Sequence, residues 1–409
     1  MSVWQKENRY DKAAKIVLFL ISPFFSFLYS LRTMNTRSSY VVFFLFAVFF
    51  GMSFSVGNIR TEGSIDGISY RAHFEEYKLK SSNYYYEGLN EFLTFDEGKK
   101  DYYFDTVAFY VSRITDNYHV MFMVFAIIFA FFSLKTFKLF ITDNKFDISF
   151  ASFILAYLFM ANQIFNINGM RFWTAAWVGV YALFQIFGKK NKRYFLLLLV
   201  TPFFHGSFWI FIAVVVLAYL LMRFDKVWAV LFFISFFVGS IAVELLQETS
   251  DLLPAFMQRM IASYTDPEYI QSRSEGGTGF YWVQRLFSTL VRFYMNFMVY
   301  LFIRNSKTIK ANPKSKSFYL FLLVYMTFVN FTMAVPSLGG RYMTLAYPLI
   351  AYIWLVNFNG VKYKKFLYAM PVIFWFSFYG WIQRYLTVLD FEFFVSSPFY
   401  LIYKYLIVA

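Results

Sequence analysis

Arg171 is the residue whose chemistry most needs explaining. In the run Asn166-Ile167-Asn168-Gly169-Met170-Arg171-Phe172-Trp173 it puts a permanent charge at the head of an apolar stretch that continues through Thr174 to Phe187. A cation in such a place needs a counter-charge or a ligand. Arg285, Arg292, Arg341 and Arg384 stand at or inside the ends of other apolar stretches. The guanidinium fork donates to two oxygens at once and keeps its charge on burial, which suits a pyrophosphate. Arg285 and Arg292 are seven residues apart, close to two helical turns, so with Ser288, Thr289 and Asn296 they form one polar stripe that should line a cavity. His205 lies in Pro202-Phe203-Phe204-His205-Gly206-Ser207. An unperturbed imidazole titrates near pH ~6.5 and can take a proton from a hydroxyl and return it. Asp66, Tyr70 and Arg71, in Asp66-Gly67-Ile68-Ser69-Tyr70-Arg71, are weaker candidates.

Each of these residues also has a bland reading. Outward arginines snorkel to lipid phosphates, a lone histidine in a helix break satisfies freed carbonyls, and loop carboxylates are solvated. Arg292 lies too far inside its apolar stretch to snorkel easily, and convergence of the arginines with His205 on one side of a membrane favours function. Other chemistries lack their residues. The three histidines, His73, His119 and His205, fall in separate elements, the outer loops hold no Asp-x-Asp pair, and Asp390-Phe391-Glu392 is the nearest approach to one, so a metal-free mechanism is expected. Cysteine is absent, which removes thiolate nucleophiles, thiolate metal sites and disulfides. No glycine-rich phosphate loop points to a nucleotide or any other cofactor.

The elements that must position these residues are membrane helices. Hydrophobic residues make up 59% of the 409, aromatics 25% and charged residues 15%, more apolar surface than a soluble fold can hide. The net charge of +14 sits mainly in short loops, the positive-inside pattern rather than a nucleic-acid surface. Apolar segments fall at about 40–57, 118–137, 147–165, 171–187, 226–246, 281–303, 317–335, 342–357 and 366–383, and 194–222 reads as two short helices meeting at His205. The expected fold is all-α, one polytopic bundle of about eleven or twelve membrane helices spanning residues 1–409. Residues 16–31 fit an interfacial or re-entrant helix, with a full span as the alternative. Lys135, Lys138, Lys189, Lys190, Arg223, Lys310, Lys314 and Lys364 mark the cytoplasmic side. Two outer loops remain, 58–117 and 247–280. The first should carry a surface-lying helix with Phe104, Val107, Ala108, Val111 and Ile114 on one face, the second an amphipathic helix after Pro254. Arg171, His205, Arg285, Arg292, Arg341 and Arg384 then all face outward.

The run Phe165 to Ala176, the basic run Lys189 to Tyr194 and Phe204-His205-Gly206-Ser207 resemble the EpsG/Wzy family of polysaccharide polymerases, and the spacing between the arginine and histidine segments matches. Asp66 to Tyr70 and Gly339-Gly340-Arg341-Tyr342 resemble that family too, while Gly206 replaces the larger residue often found after the histidine. The resemblance implies a bacterial inner-membrane enzyme with a fold related to the GT-C glycosyltransferases. It would join oligosaccharide repeat units carried on undecaprenyl pyrophosphate at the outer face, with a chain-length regulator as a candidate partner. Arg171, Arg285, Arg292 and Arg341 would hold pyrophosphates, and His205 or a carboxylate such as Asp66 would deprotonate the acceptor. Asn168, Tyr70, Arg71 and Tyr342 would line the substrate. A lipid-linked oligosaccharide flippase is the competing reading from another class, disfavoured by the one-sided polar cluster and the lack of repeat symmetry. An O-antigen ligase is the closer rival in chemistry.

Overall fold

The computed structural model describes residues 4–59, 65–95, 99–248, 250–252, 258, 262, 266, 281–335, 338–358 and 360–408. The described residues form helices and turns, with no strand among them. Most of the outer loop 247–280, including the helix expected after Pro254, lies outside the described residues.

Capping residues start several helices where the sequence changes from polar to apolar. Helix α1 (Arg9–Ile21) is capped by Asn8, and α2 (Pro23–Ser30) by Ser22, whose side chain accepts from the amides of Phe24 and Phe25. The two run antiparallel, since Tyr29 donates to Asp11 at 2.9 Å and Ser26 donates to the Lys15 carbonyl at 2.8 Å. The chain therefore enters and leaves this hairpin at one end. Helix α3 (Arg37–Met52), capped by Thr36, then packs along the hairpin and along α7 (Tyr118–Ile141), which Asn117 caps.

Four helical stretches are long and apolar enough to cross a membrane: Tyr118–Ile141, Phe150–Gly188, Trp282–Arg304 and Lys316–Ala334. Shorter apolar helices cover Arg37–Met52, Phe208–Leu221 and Pro398–Val408. The protein is a membrane protein. Several expected spans are broken. Between 194 and 222 lie α10 (Phe195–Leu199), α11 (Thr201–Phe204, Pro202 in its first turn) and α12 (Phe208–Leu221), with His205 extended between the last two at φ −157°, ψ 123°. The stretch 226–246 divides into α13 (Asp225–Ile234) and α14 (Gly239–Glu248), and 366–383 is interrupted at Ala369 and again at Phe374.

Loop 58–117 folds into α4 (Asp66–Tyr77), α5 (Ser82–Thr94) and α6 (Tyr103–Ser112). Most of the expected apolar face of α6 packs inside the lobe, while Ile114, 84% exposed, falls beyond the helix. Phe104, Val107, Ala108, Phe109 and Val111 are buried, because α4, α5 and α7 cover that face. The remaining helices that concern the site are α8 (Phe150–Phe159), α9 (Met170–Leu183), α15 (Tyr281–Arg304), α16 (Ser306–Ala311), α17 (Lys316–Phe331) and α18 (Gly339–Asn357).

Ion pairs gather the basic loops at one end of the bundle. Lys314 pairs with Asp143 and Lys310 with Asp225, each at 2.7 Å, and Lys138 stands 5.2 Å from the Trp4 ring. The starts of α4, α7, α9, α15 and α18 belong to the other end, where the candidate site forms.

Candidate functional site

The site is assembled by docking the 58–117 lobe onto the Asn-Ile-Asn-Gly-Met-Arg run. That run is a 3-10 turn, Ile164–Gly169, feeding directly into α9. Its Asn168 side chain accepts a 2.8 Å hydrogen bond from the Gly67 amide in the first turn of α4. Position 67 tolerates little else, since a Cβ there would lie 2.9 Å from Asn168 Oδ1 and 3.0 Å from the Phe54 ring. The Asp66 carboxylate thereby comes to Gly169, within 3.6 Å of where a Cβ on that glycine would stand. One helical turn on, the buried Tyr70 hydroxyl accepts from Arg171 Nε at 3.4 Å.

Arg171 has the counter-charge that its position demands. Its Nη1 donates to both oxygens of Asp101, at 3.1 and 3.3 Å. The Asp101 side chain is 6% exposed and that of Arg171 42%, so the pair is anchored inward while the guanidinium keeps an open edge. Burial pushes the Asp101 carboxyl above its ordinary range, against the opposing pull of Arg171 and of a hydrogen bond from the Gly206 backbone. Burial likewise raises the Tyr70 phenol, and Arg171 opposes it.

Asp101 is held in place by the helix break. The Tyr102 amide donates to the Phe203 carbonyl at 2.9 Å, and a Cβ at Gly206 would meet the Lys100 carbonyl oxygen at 2.6 Å. The glycine is thus what lets segment 99–102 lie against residues 203–206. At the same break, Ser207 donates its amide to His205 Nδ1 at 3.2 Å, and its hydroxyl lies 2.8 Å from that nitrogen. An Nδ1 that accepts an amide leaves the proton of a neutral imidazole on Nε2, so this arrangement favours a donor at Nε2.

Phe172 links the histidine to a second cation. The His205 ring packs on it at 86° with centroids 5.3 Å apart, and Arg341 Cζ lies 5.5 Å from its centroid. Tyr342, fully buried, packs on the same ring and donates to the Ser207 carbonyl at 2.7 Å. The structure therefore brings together Asp66, Asn168, Tyr70, Arg171, His205 and Arg341, with Tyr342 behind them as a support.

Other expected site residues lie elsewhere. Arg71 points away from Arg171, stacked 4.0 Å from the Tyr118 ring and bonded to Glu75 and the Val56 carbonyl. Arg285 and Arg292 are on α15, where Ser288 and Thr289 donate back to the Arg285 carbonyl and Asn296 to that of Arg292. Among the described residues neither arginine pairs with a carboxylate. Arg384 stands over Trp381 at 5.3 Å. Asp101 and the packing role of Gly206 were not marked in the sequence. An acid between lysines and tyrosines at Lys99-Lys100-Asp101-Tyr102 reads as ordinary loop charge. No group of three or more metal-ligating side chains converges among the described residues.

The EpsG family model matches residues 38–395, from the start of α3 to near the C-terminus. The chain belongs to the EpsG family. No curated protein and no solved structure matches it. The EpsG match encloses every residue of the cluster, and it associates the chain with polysaccharide-polymerase-type membrane proteins. Within this EpsG chain Gly206 has a definite steric partner, the Lys100 carbonyl, which accounts locally for the small residue after the histidine.

Proposed function

We propose that this EpsG protein is a lipid-linked polysaccharide polymerase. A glycan chain on undecaprenyl pyrophosphate is transferred to the terminal sugar of a second lipid-linked repeat unit at the outer face of a bacterial inner membrane. The observation that carries this reading is the placing of two guanidinium groups around His205: Arg171 held by Asp101 and Tyr70, and Arg341 over the Phe172 ring that His205 also packs against. Two cations with an open approach suit a pyrophosphate leaving group, and a fixed cation stabilises developing charge without reorganising.

The reaction breaks the bond between the donor sugar's anomeric carbon and the pyrophosphate oxygen, which keeps the electron pair. A new bond forms from that carbon to the acceptor hydroxyl oxygen, whose proton must leave. Asp101 is engaged by Arg171, whereas Asp66 has no ion pair among the described residues and lies beside the same motif. Asp66 accordingly takes the acceptor proton, His205 donates a hydrogen bond from Nε2, and Arg171 and Arg341 hold the departing pyrophosphate. Tyr70 and Asn168 set the approach, and the fold is expected to share the GT-C plan. Arg285 and Arg292 attend the second lipid pyrophosphate.

The test is reconstitution. Purified protein given lipid-linked repeat units, with no nucleotide or metal added, is expected to yield a ladder of longer lipid-linked glycans. Movement of the same substrate across vesicles without elongation would instead establish a flippase, and transfer only to a lipid A core a ligase.

A further inference from the structure

The α1–α2 hairpin precedes the family match, and its α1 lies alongside α3 to enclose a groove of about 420 Å³. The two ends of the groove differ in character. One end holds Glu7, Lys12, Lys15, Arg37 and Ser38. Its walls beyond are apolar and include Ile16, Leu20, Val41 and Leu45.

Lys15 is 1% exposed and internally satisfied, donating to Glu7, to Thr36 at 3.0 Å and to Ser38 at 2.9 Å. That pair neutralises itself, leaving Lys12 and Arg37 as the free charges at the mouth. Both are exposed, and among the described residues neither pairs with a carboxylate. The apolar walls face outward too: Ile16, Leu20 and Val41 are about half exposed, as are their neighbours Val17 and Ile21. In a membrane protein such side chains face lipid. Trp4, 5.2 Å from Tyr40 and from Lys138, fixes this mouth at the end of the bundle that carries the basic loops.

A cationic mouth at the level of the headgroups and an apolar wall running along α1, about 12 Å from Lys12 to Leu20, match a molecule with a phosphate at one end and an acyl chain at the other. We propose that this groove binds one anionic phospholipid, its phosphate on Lys12 and Arg37 and an acyl chain against Ile16, Leu20, Val41 and Leu45. The charge at the mouth selects an anionic headgroup over a zwitterionic one. The bound lipid braces the hairpin against α3. The site is independent of the Arg171 cluster and of the reaction proposed there.

Native mass spectrometry of the full-length protein, incubated with equal amounts of phosphatidylglycerol and phosphatidylcholine of identical chains, reads this directly. The expected result is one retained lipid, with phosphatidylglycerol favoured about ten-fold. Lys12→Gln with Arg37→Gln, both exposed positions, should abolish the preference, and Val41→Trp should reduce retention of both lipids by filling the groove. Excess glycerol phosphate should leave the lipid bound. Equal retention of the two lipids by the wild-type protein, or an unchanged preference in the double variant, would overturn the proposal. So would full retention in Val41→Trp, or displacement by glycerol phosphate, which would make the mouth a site for free phosphate.

Discussion

Arg171 and Arg285 each bring a guanidinium to the first turns of an apolar helix, and the chain treats the two in opposite ways. Arg171 is met by Asp101 and Tyr70 from a lobe folded over it, and Arg341 stands over the ring of the next residue, Phe172. Arg285 stands on a turn of α15 where Trp282, Leu286 and Leu290 are also exposed, and no described carboxylate reaches it. The α15 stripe gains packing only further along, where Asn296 accepts from Asn330 at 2.9 Å. A cation fixed before its ligand arrives can stabilise a transition state, because no binding energy is spent on ordering it. A cation on an uncovered helix face can meet a mobile lipid phosphate but has nothing to hold it to one geometry. On the proposed function, the first region serves the chemistry and the second makes contact with lipid.

Arg171→Ala removes the ligand and strands a buried carboxylate. Turnover should fall at least about 100-fold, and unfolding should become easier by about 2–4 kcal/mol, discounted for the open edge of Arg171. Elongation assays and thermal unfolding in the same detergent measure both. Gly206→Ala leaves every polar group intact but drives a methyl into the Lys100 carbonyl. It should cost about 1–3 kcal/mol and lower turnover by displacing Asp101, a loss that a mutation on α15 would not produce.

Asp101→Asn separates charge from shape. Asp101 has its folded pKa raised, chiefly by burial, so folding favours its protonated form. The stability this contributes is full below the unfolded carboxylate value and is lost as pH rises through the raised folded value. Wild-type stability should therefore decline relative to Asp101→Asn as pH rises through that window. Activity should do the reverse, with an acid limb above the ordinary carboxylate range that the variant lacks. Parallel pH profiles of the two properties would contradict the proposed pairing with Arg171.

Arg71→Ala should lower stability by about 1 kcal/mol through its lost stacking on Tyr118 and leave turnover near wild type. The smallest effect on stability is expected at Arg285→Gln, within about 0.5 kcal/mol for an exposed position, with a change in KM rather than kcat. A loss of kcat there as large as that of Arg171→Ala would erase the distinction between the two regions.

The sequence revealed the residues whose chemistry conflicts with their surroundings. Arg171 in an apolar helix and His205 in a helix break stand out for that reason, and the basic loops gave the common face. It could not reveal Asp101, because its role exists only through tertiary contact: Arg171 lies 70 residues away, and the intervening fold alone joins them. Arg71 misled for the complementary reason. It sits beside Tyr70 in the motif, but adjacent residues on a helix point in different directions, and α4 turns Arg71 toward Tyr118. Apolar content also overstated α13 and α14, where Ser235 to Val238 interrupt what reads as one span. The covering of α6 by α4 and α5 was equally invisible, since an amphipathic stripe says that a face is buried and not by what.

The most direct test compares initial elongation rates at saturating lipid-linked substrate for the wild-type protein, Arg171→Ala, His205→Ala and the Arg285→Gln/Arg292→Gln double variant, each verified as folded and inserted. The expected result is a glycan ladder from the wild type and, with a raised KM, from the double variant, and none from the two site variants. A full-rate ladder from Arg171→Ala or His205→Ala would contradict the assignment of the chemistry to this cluster.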